Sequence, residues 1–222
     1  ERLPLPFRQR LEALMTGRDW FWVCGNHDPD APRGLGGDSV KEIAISSLVL
    51  RHEPSQEPIA GEMGTLTAGN ISALHDGAAF VLVVSEAEWE RRGRPPALRP
   101  VVNAALGVEP GLEAEAPIAA VQKLYSRLNG LDRSAISLFE LSEAAAVQAI
   151  ALGRQLGLDE AAINPEGGAV VRGHPLGAAG AVLVTRLFSR LIRNEAARGA
   201  RYGVAALGAN GGLGLAALFE RT

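Results

Sequence analysis

One histidine stands in a setting that could do chemistry. His174 lies in the string GHPLGAAGA, residues 173–181, after a short apolar stretch and before a run of small residues. The pattern predicts a strand over residues 169–171 and a helix from residue 177. Pro175 restricts the backbone on either side of its own peptide bond, so the imidazole beside it is held in place. Small residues at a helix start leave its N–H groups open to a carbonyl or an anion. An imidazole so placed is suited to proton transfer near neutral pH or to polarising a carbonyl. A lone histidine is more often structural, so the reading depends on partner motifs.

Two such motifs are present. GTLTAGNISALHDGAA, residues 64–79, packs small and turn-forming residues ahead of an apolar run, and Ser72 offers a hydroxyl or its N–H. A plain turn-rich lead-in to a strand would read the same way. GANGGLG, residues 208–214, joins the last two apolar runs. A dinucleotide-phosphate loop needs strand, loop and helix in that order, and LGLAALFER after the glycines reads as a strand. Backbone N–H groups turned toward a pocket, as in an oxyanion hole, suit this turn better.

The elements that must position these residues follow from the patterning. Residues 1–60 are irregular: a helix over 7–15, an aromatic cluster at Trp20, Phe21 and Trp22, a turn-rich stretch over 25–37 and a strand over 42–50. Beyond them, residues 61–222 alternate strand-like runs with helical patterns, the signature of an α/β layered core. The spacing predicts strands over 78–84, 98–105, 136–141, 203–207 and 213–220. The first of these is apolar on both faces, as in a sheet covered on both sides. Helices are predicted over 85–92, opened by a capping box at Ser85 and Glu88, over 117–128, over 142–156 and over 177–197.

Composition narrows the function classes. The 222 residues carry a net charge of −3 without a dense basic run, which argues against nucleic acid as a partner. A single cysteine, Cys24, excludes an internal disulfide within this sequence. The N-terminal residues are amphipathic and charged rather than signal-like, and no apolar run is long enough to span a bilayer. A cytoplasmic protein without membrane contact is expected.

Taken in order, the three motifs resemble those of the thiolases, from about Gly64 to Arg221. That family shows a TAGN-A-S-G-x-N-D-G loop, then N-E-A-F, then G-H-P-x-G-x-S/A-G, then C-x-G-G-G. The resemblance implies the C-terminal half of a thiolase-like α/β fold, a mixed sheet with helices on both faces, and residues 1–60 in the place of a reduced loop or cap region. It implies an acyltransferase acting on acyl-CoA, with the coenzyme A thioester as substrate and no covalent cofactor or metal. His174 would activate a nucleophilic thiol and bind the thioester oxygen. Ser142 stands where the asparagine of N-E-A-F would be, with Glu143 retained. Gly208 takes the place of the second cysteine, and the N–H of Asn210 that of an oxyanion-hole donor. Ala68, Ser72 and Ala73 would lie along the pantetheine arm.

The departures from the family pattern bear on mechanism. The family's nucleophilic cysteine belongs to its N-terminal half; Cys24, in VCGNHD, is read as a small buried residue instead. Replacing a thiol by Gly208 removes a positioned acid, a change that typically lowers rate on the order of 10² to 10⁴. Two readings result. The chain supplies His174 and the CoA-facing loops while another segment or subunit supplies the nucleophile, or it is a catalytically silent thiolase-fold subunit or fragment that binds acyl-CoA or a partner chain. Half a thiolase core would leave an apolar face open, so association with itself or with a second thiolase-fold half is expected.

Overall fold

The computed structural model describes residues 64–194 and 199–222. The helix over 7–15, the strand over 42–50, the aromatic cluster and Cys24 lie outside the described residues. The chain divides into two compact units, Glu1–Gly69 and Asn70–Thr222. The fold below is that of the second.

Short apolar runs separated by glycines build the sheet. Strands β1 (Leu98–Gly107), β2 (Ile136–Leu141), β3 (Tyr202–Ala209) and β4 (Leu213–Arg221) stand in the order β1-β4-β3-β2. β1 and β3 both run antiparallel to β4, and β2 runs parallel to β3. The sheet is therefore mixed. Parallel pairing of β2 and β3 requires a long crossover, and the helical segments between them supply it.

Alternation along the strands assigns two covered faces. Phe139, Leu141, Val204, Ala206, Ala216 and Leu218 point to one side, where they pack with Ile118, Val121 and Leu124 of helix α2 (Ala116–Tyr125) and Leu152 of helix α3 (Ala146–Leu156). Leu138 and Ala205 point to the other, onto Leu183, Leu187 and Leu191 of helix α5 (Ala179–Phe188) and its continuation. Burying each Leu or Phe contributes about 1.5–3 kcal/mol, so the two clusters fix the sheet between its helices. The expected mixed sheet with helices on both faces is what the chain forms.

Local signals explain the ends of these elements. Ser85 caps helix α1 (Glu86–Arg91), its hydroxyl accepting the Glu88 N–H at 3.2 Å. Pro117 sits at the opening of α2, where its missing N–H is not needed.

Four expectations are corrected. Residues 78–84 form no strand and have no sheet partner among the described residues, and Phe80, Leu82 and Val83 are 93 %, 77 % and 86 % exposed. An apolar run needs a neighbouring strand to satisfy its backbone, and the described residues provide none. Residues 169–171 belong to a single helical turn, α4 (Ala169–Arg172), rather than a strand. The apolar triplet AVV is too short for periodicity to separate the two. The helix expected from Ser142 begins only at Ala146, because Glu143 has a positive φ of 38° that no α-helix admits. The helix expected over 177–197 is a 3₁₀ turn (Leu176–Ala178), α5, and a π-type turn (Ser189–Arg193); residues 195–198 lie outside the described residues.

Candidate functional site

Three stretches of chain meet around His174. The first is residues 70–77. The His174 N–H donates to the Ala73 carbonyl at 2.8 Å, and Leu74 and His174 form a parallel bridge. The second is the connection from β2 to α3. The Ser72 N–H (2.9 Å) and hydroxyl (3.1 Å) both donate to the Ala144 carbonyl, and the Ala146 N–H donates to the Asn70 carbonyl at 2.8 Å. The third is residues 164–175, which carry α4 and deliver Gly173 and His174 after it.

Gly173 is required where it stands. Its φ of 87° suits glycine alone, and a Cβ there would overlap the His75 ring. His75 thus packs on the backbone beside His174, with its Nδ1 3.0 Å from the Ala73 carbonyl oxygen. Gly77 packs on Pro175, where a Cβ would come within 2.7 Å of the proline Cβ. These two close approaches lock residues 70–77 against residues 173–175.

His174 lines a small cavity of about 40 Å³ together with Ser142, Asn164, Gly168, Gly173 and Arg186. That volume takes one or a few water-sized groups. Burial holds the His174 imidazole below the ordinary histidine range. Near neutral pH the ring is therefore neutral, with one nitrogen free to accept a proton and the other donating. Two buried donors in the same wall, Asn164 Nδ2 and Arg186 Nη1, have no partner among the described residues. On the other side of Pro175 an open groove of about 490 Å³ runs between residues 75–80 and Leu176 to Ala181. It has the size of a small-molecule site.

Ser142 joins the cavity to the glycine turn. It is buried, its N–H donates to the Ala206 carbonyl at 3.0 Å, and its hydroxyl accepts the Gly208 N–H at 3.3 Å. The Gly208 N–H is consequently spent within the protein. Asn210 lies beyond it, exposed, in the turn between β3 and β4, and lines neither the cavity nor the groove. Gly211 and Gly212 in that turn have φ of 83° and 81°. Ala73 contributes its carbonyl to His174 and Ser72 its hydroxyl to Ala144, as above. Ala68 lies at a turn in the other unit, Glu1–Gly69.

Three residues at the site, Glu140, Arg186 and Asn164, escaped the sequence motifs, and two inside the motifs, His75 and Glu143, had no contacts legible there. Glu140 lies in β2 and is paired with Arg186 of α5, which donates through Nη2 to Glu140 Oε1 at 3.1 Å and to the Gly167 carbonyl at 3.0 Å. A charge in the middle of ISLFEL was the available signal, since a buried carboxylate needs a partner. Asn164 accepts the Leu141 N–H at 2.7 Å through Oδ1, and its φ of 44° leaves no trace in the pattern. His75 and Glu143 are placed by the packing of separate loops.

The comparisons with known proteins agree with one another. Residues 97–221 match the model of the family described as "Thiolase, C-terminal domain". An acetyl-CoA acetyltransferase of Paracoccus denitrificans is 41% identical over 96% of this chain and 58% of its own length. One of Shinella zoogloeoides is 43% identical over 86% of this chain and 48% of its own. The crystal structure of the Bacillus anthracis acetyl-CoA acetyltransferase superposes with a TM-score of 0.69 at 33% identity, over 75% of this chain and 41% of that one. That of Acat5 thiolase from Ascaris suum in complex with coenzyme A superposes with a TM-score of 0.62 at 36% identity, over 72% and 40%. The chain spans about half the length of the curated relatives it matches. No helix among the described residues is long and apolar enough to cross a membrane.

Proposed function

The chain belongs to the thiolase family, and we propose that it is the histidine-bearing half of an acyltransferase that works on acyl-CoA thioesters. The observation that carries this reading is His174: a half-buried imidazole kept neutral, backbone-tied to Ala73, in the wall of a cavity shared with Ser142. A neutral ring there deprotonates an approaching thiol or donates to a thioester oxygen. Relatives carrying the name acetyl-CoA acetyltransferase, and a structural neighbour solved with coenzyme A, support the substrate class. The pantetheine arm would lie along the open groove beside Pro175, next to the segment that carries Ser72 and Ala73.

The nucleophile comes from a second thiolase-fold half, so the working unit is an oligomer or a longer assembly, placed in the cytoplasm. The exposed apolar run over residues 78–84 supports a partner. One observation favours a reaction limited to acyl transfer, or a silent site. A Cβ at Gly208 would come within 3.1 Å of Pro117 Cδ, so a thiol at that position requires the Pro117 ring to shift slightly. Acetyl-CoA would be mixed with this chain and a thiolase N-terminal half that carries its cysteine, and CoA release measured. The catalytic reading expects release to fall at least tenfold in His174→Ala; equal rates would assign the chain to the silent class.

A further inference from the structure

Glu143 is a charged residue in an uncomfortable place. Its backbone has a φ of 38°, a region that costs a non-glycine residue on the order of 1 kcal/mol or more, and its carboxyl is largely removed from water. Strain and burial in one acidic residue call for a compensating role. The contacts of Glu143 supply it. Glu143 Oε2 accepts the Val170 N–H at 3.2 Å, inside α4, four residues before His174. The carboxyl lies so close over Gly168 that a Cβ there would overlap it. Its backbone neighbours reach the other two parts of the site: Ser142 holds the Gly208 N–H, and Ala144 receives both donors of Ser72.

We propose that Glu143 is a positioning residue for His174: its side chain clamps residues 168–170 while its chain neighbours Ser142 and Ala144 tie Gly208 and Ser72 to the same point. Glu143 does not line the cavity, whereas Gly168, Ala169, Gly173 and His174 do. It acts from behind the wall. The left-handed turn at Glu143 is what aims its side chain across the chain at Val170 rather than along a helix; the helix begins three residues later, at Ala146. Burial pushes the Glu143 carboxyl above the usual carboxylate range, opposed by the Val170 N–H and by Arg186. The clamp needs an acceptor oxygen at this reach rather than a negative charge, so glutamine should serve and alanine or aspartate should not.

The inference rests on the role proposed for His174, but its test reads the imidazole directly. The full chain would be prepared as wild type, Glu143→Gln, Glu143→Ala and Glu143→Asp. The His174 ring signals, identified by their loss in His174→Ala, would be followed by NMR through a pH titration, with thermal unfolding in parallel. Among the described residues, the other ionisable groups around the ring are Arg172, Arg186 and Glu140 in the cavity wall and His75 against Gly173; all are retained in every variant. The titration midpoint should stay at the wild-type value in the glutamine variant. It should move up toward the ordinary histidine value in the alanine and aspartate variants, as the released segment hydrates the ring. A wild-type midpoint in the aspartate variant, or a glutamine variant shifted as far as it, would overturn the clamp. If the alanine variant does not fold, the glutamine and aspartate pair still decides. Failure of the wild type to bind acetyl-CoA would count against the thioester reading and leave the clamp standing.

Discussion

Replacing Gly168 by alanine tests how tightly the histidine segment is held. The φ of Gly168 is −98°, which any residue adopts, so the substitution introduces no backbone strain. Its effect is steric. The new methyl would overlap the Glu143 carboxyl and stand 2.5 Å from Asn164 Nδ2, so at least one of these side chains must leave. Overpacking of this kind costs about 1–3 kcal/mol. Expelling the Glu143 carboxyl also breaks its bond from the Val170 N–H, and hydrogen bonds to charged groups contribute about 1.5–3 kcal/mol. The two effects overlap, so a net loss of about 2–4 kcal/mol is expected. For a chain of this size that lowers the Tm by roughly 4–16 °C, at about 2–4 °C per kcal/mol. Removing the Glu143 side chain beforehand should make room. In a double-mutant cycle with Glu143→Ala, measured by denaturant unfolding, the pair should fall short of additivity by about 1–3 kcal/mol. Additive losses would mean that the methyl meets something else and that the arrangement around Gly168 is misread.

Other perturbations probe the same region. Gly173→Ala meets both a φ of 87° and the His75 ring, and should lower stability by about 2–4 kcal/mol, with half of that recovered by His75→Ala; no recovery would place His75 elsewhere. Ser142→Ala leaves the Gly208 N–H without its acceptor and should cost about 1–3 kcal/mol in urea unfolding, while Ser142→Thr retains most of it. Because burial lowers the His174 pKa below its unfolded value of about 6.5, the unfolded state binds more protons in that window. Stability should therefore fall as pH drops below about 6.5, and the wild-type minus His174→Gln difference should carry that slope. The raised Glu140 and Glu143 groups act with the opposite sign at lower pH and cancel in the difference. Sedimentation of the wild type should show association that Phe80→Asp with Leu82→Asp abolishes; a monodisperse wild-type monomer would refute the open-face argument.

Where the sequence was legible, local chemistry and burial agreed. ISLFEL reads as a strand and is one over Ile136–Leu141, because its short, mostly apolar run finds a hydrogen-bonding partner in β3. Ser85 with Glu88 and Pro117 marked their helix starts. The histidine segment was legible as a motif, and its neighbourhood with Ser142 emerges once β2 and α5 are placed. What stayed hidden depends on contacts between distant segments. The run over 78–84 has the composition of a central strand, but a strand exists only where another chain segment accepts its hydrogen bonds. Glu143 and Asn164 take positive φ because Val170, Leu141 and Phe139 hold them there, and nothing in LSEAAA or AINPE announces it. Arg186 could be paired with Glu140 only after the crossover brought α5 over β2.

The most direct test of the account is the environment of a bound thioester carbonyl. Acetyl-CoA labelled with ¹³C at its carbonyl would be added to the full chain, and the resonance compared between wild type and His174→Ala. A displaced carbonyl signal is expected in the wild type and a return to the free position in the variant, with binding through the CoA portion retained. A signal displaced equally in both proteins would show that His174 does not face the thioester.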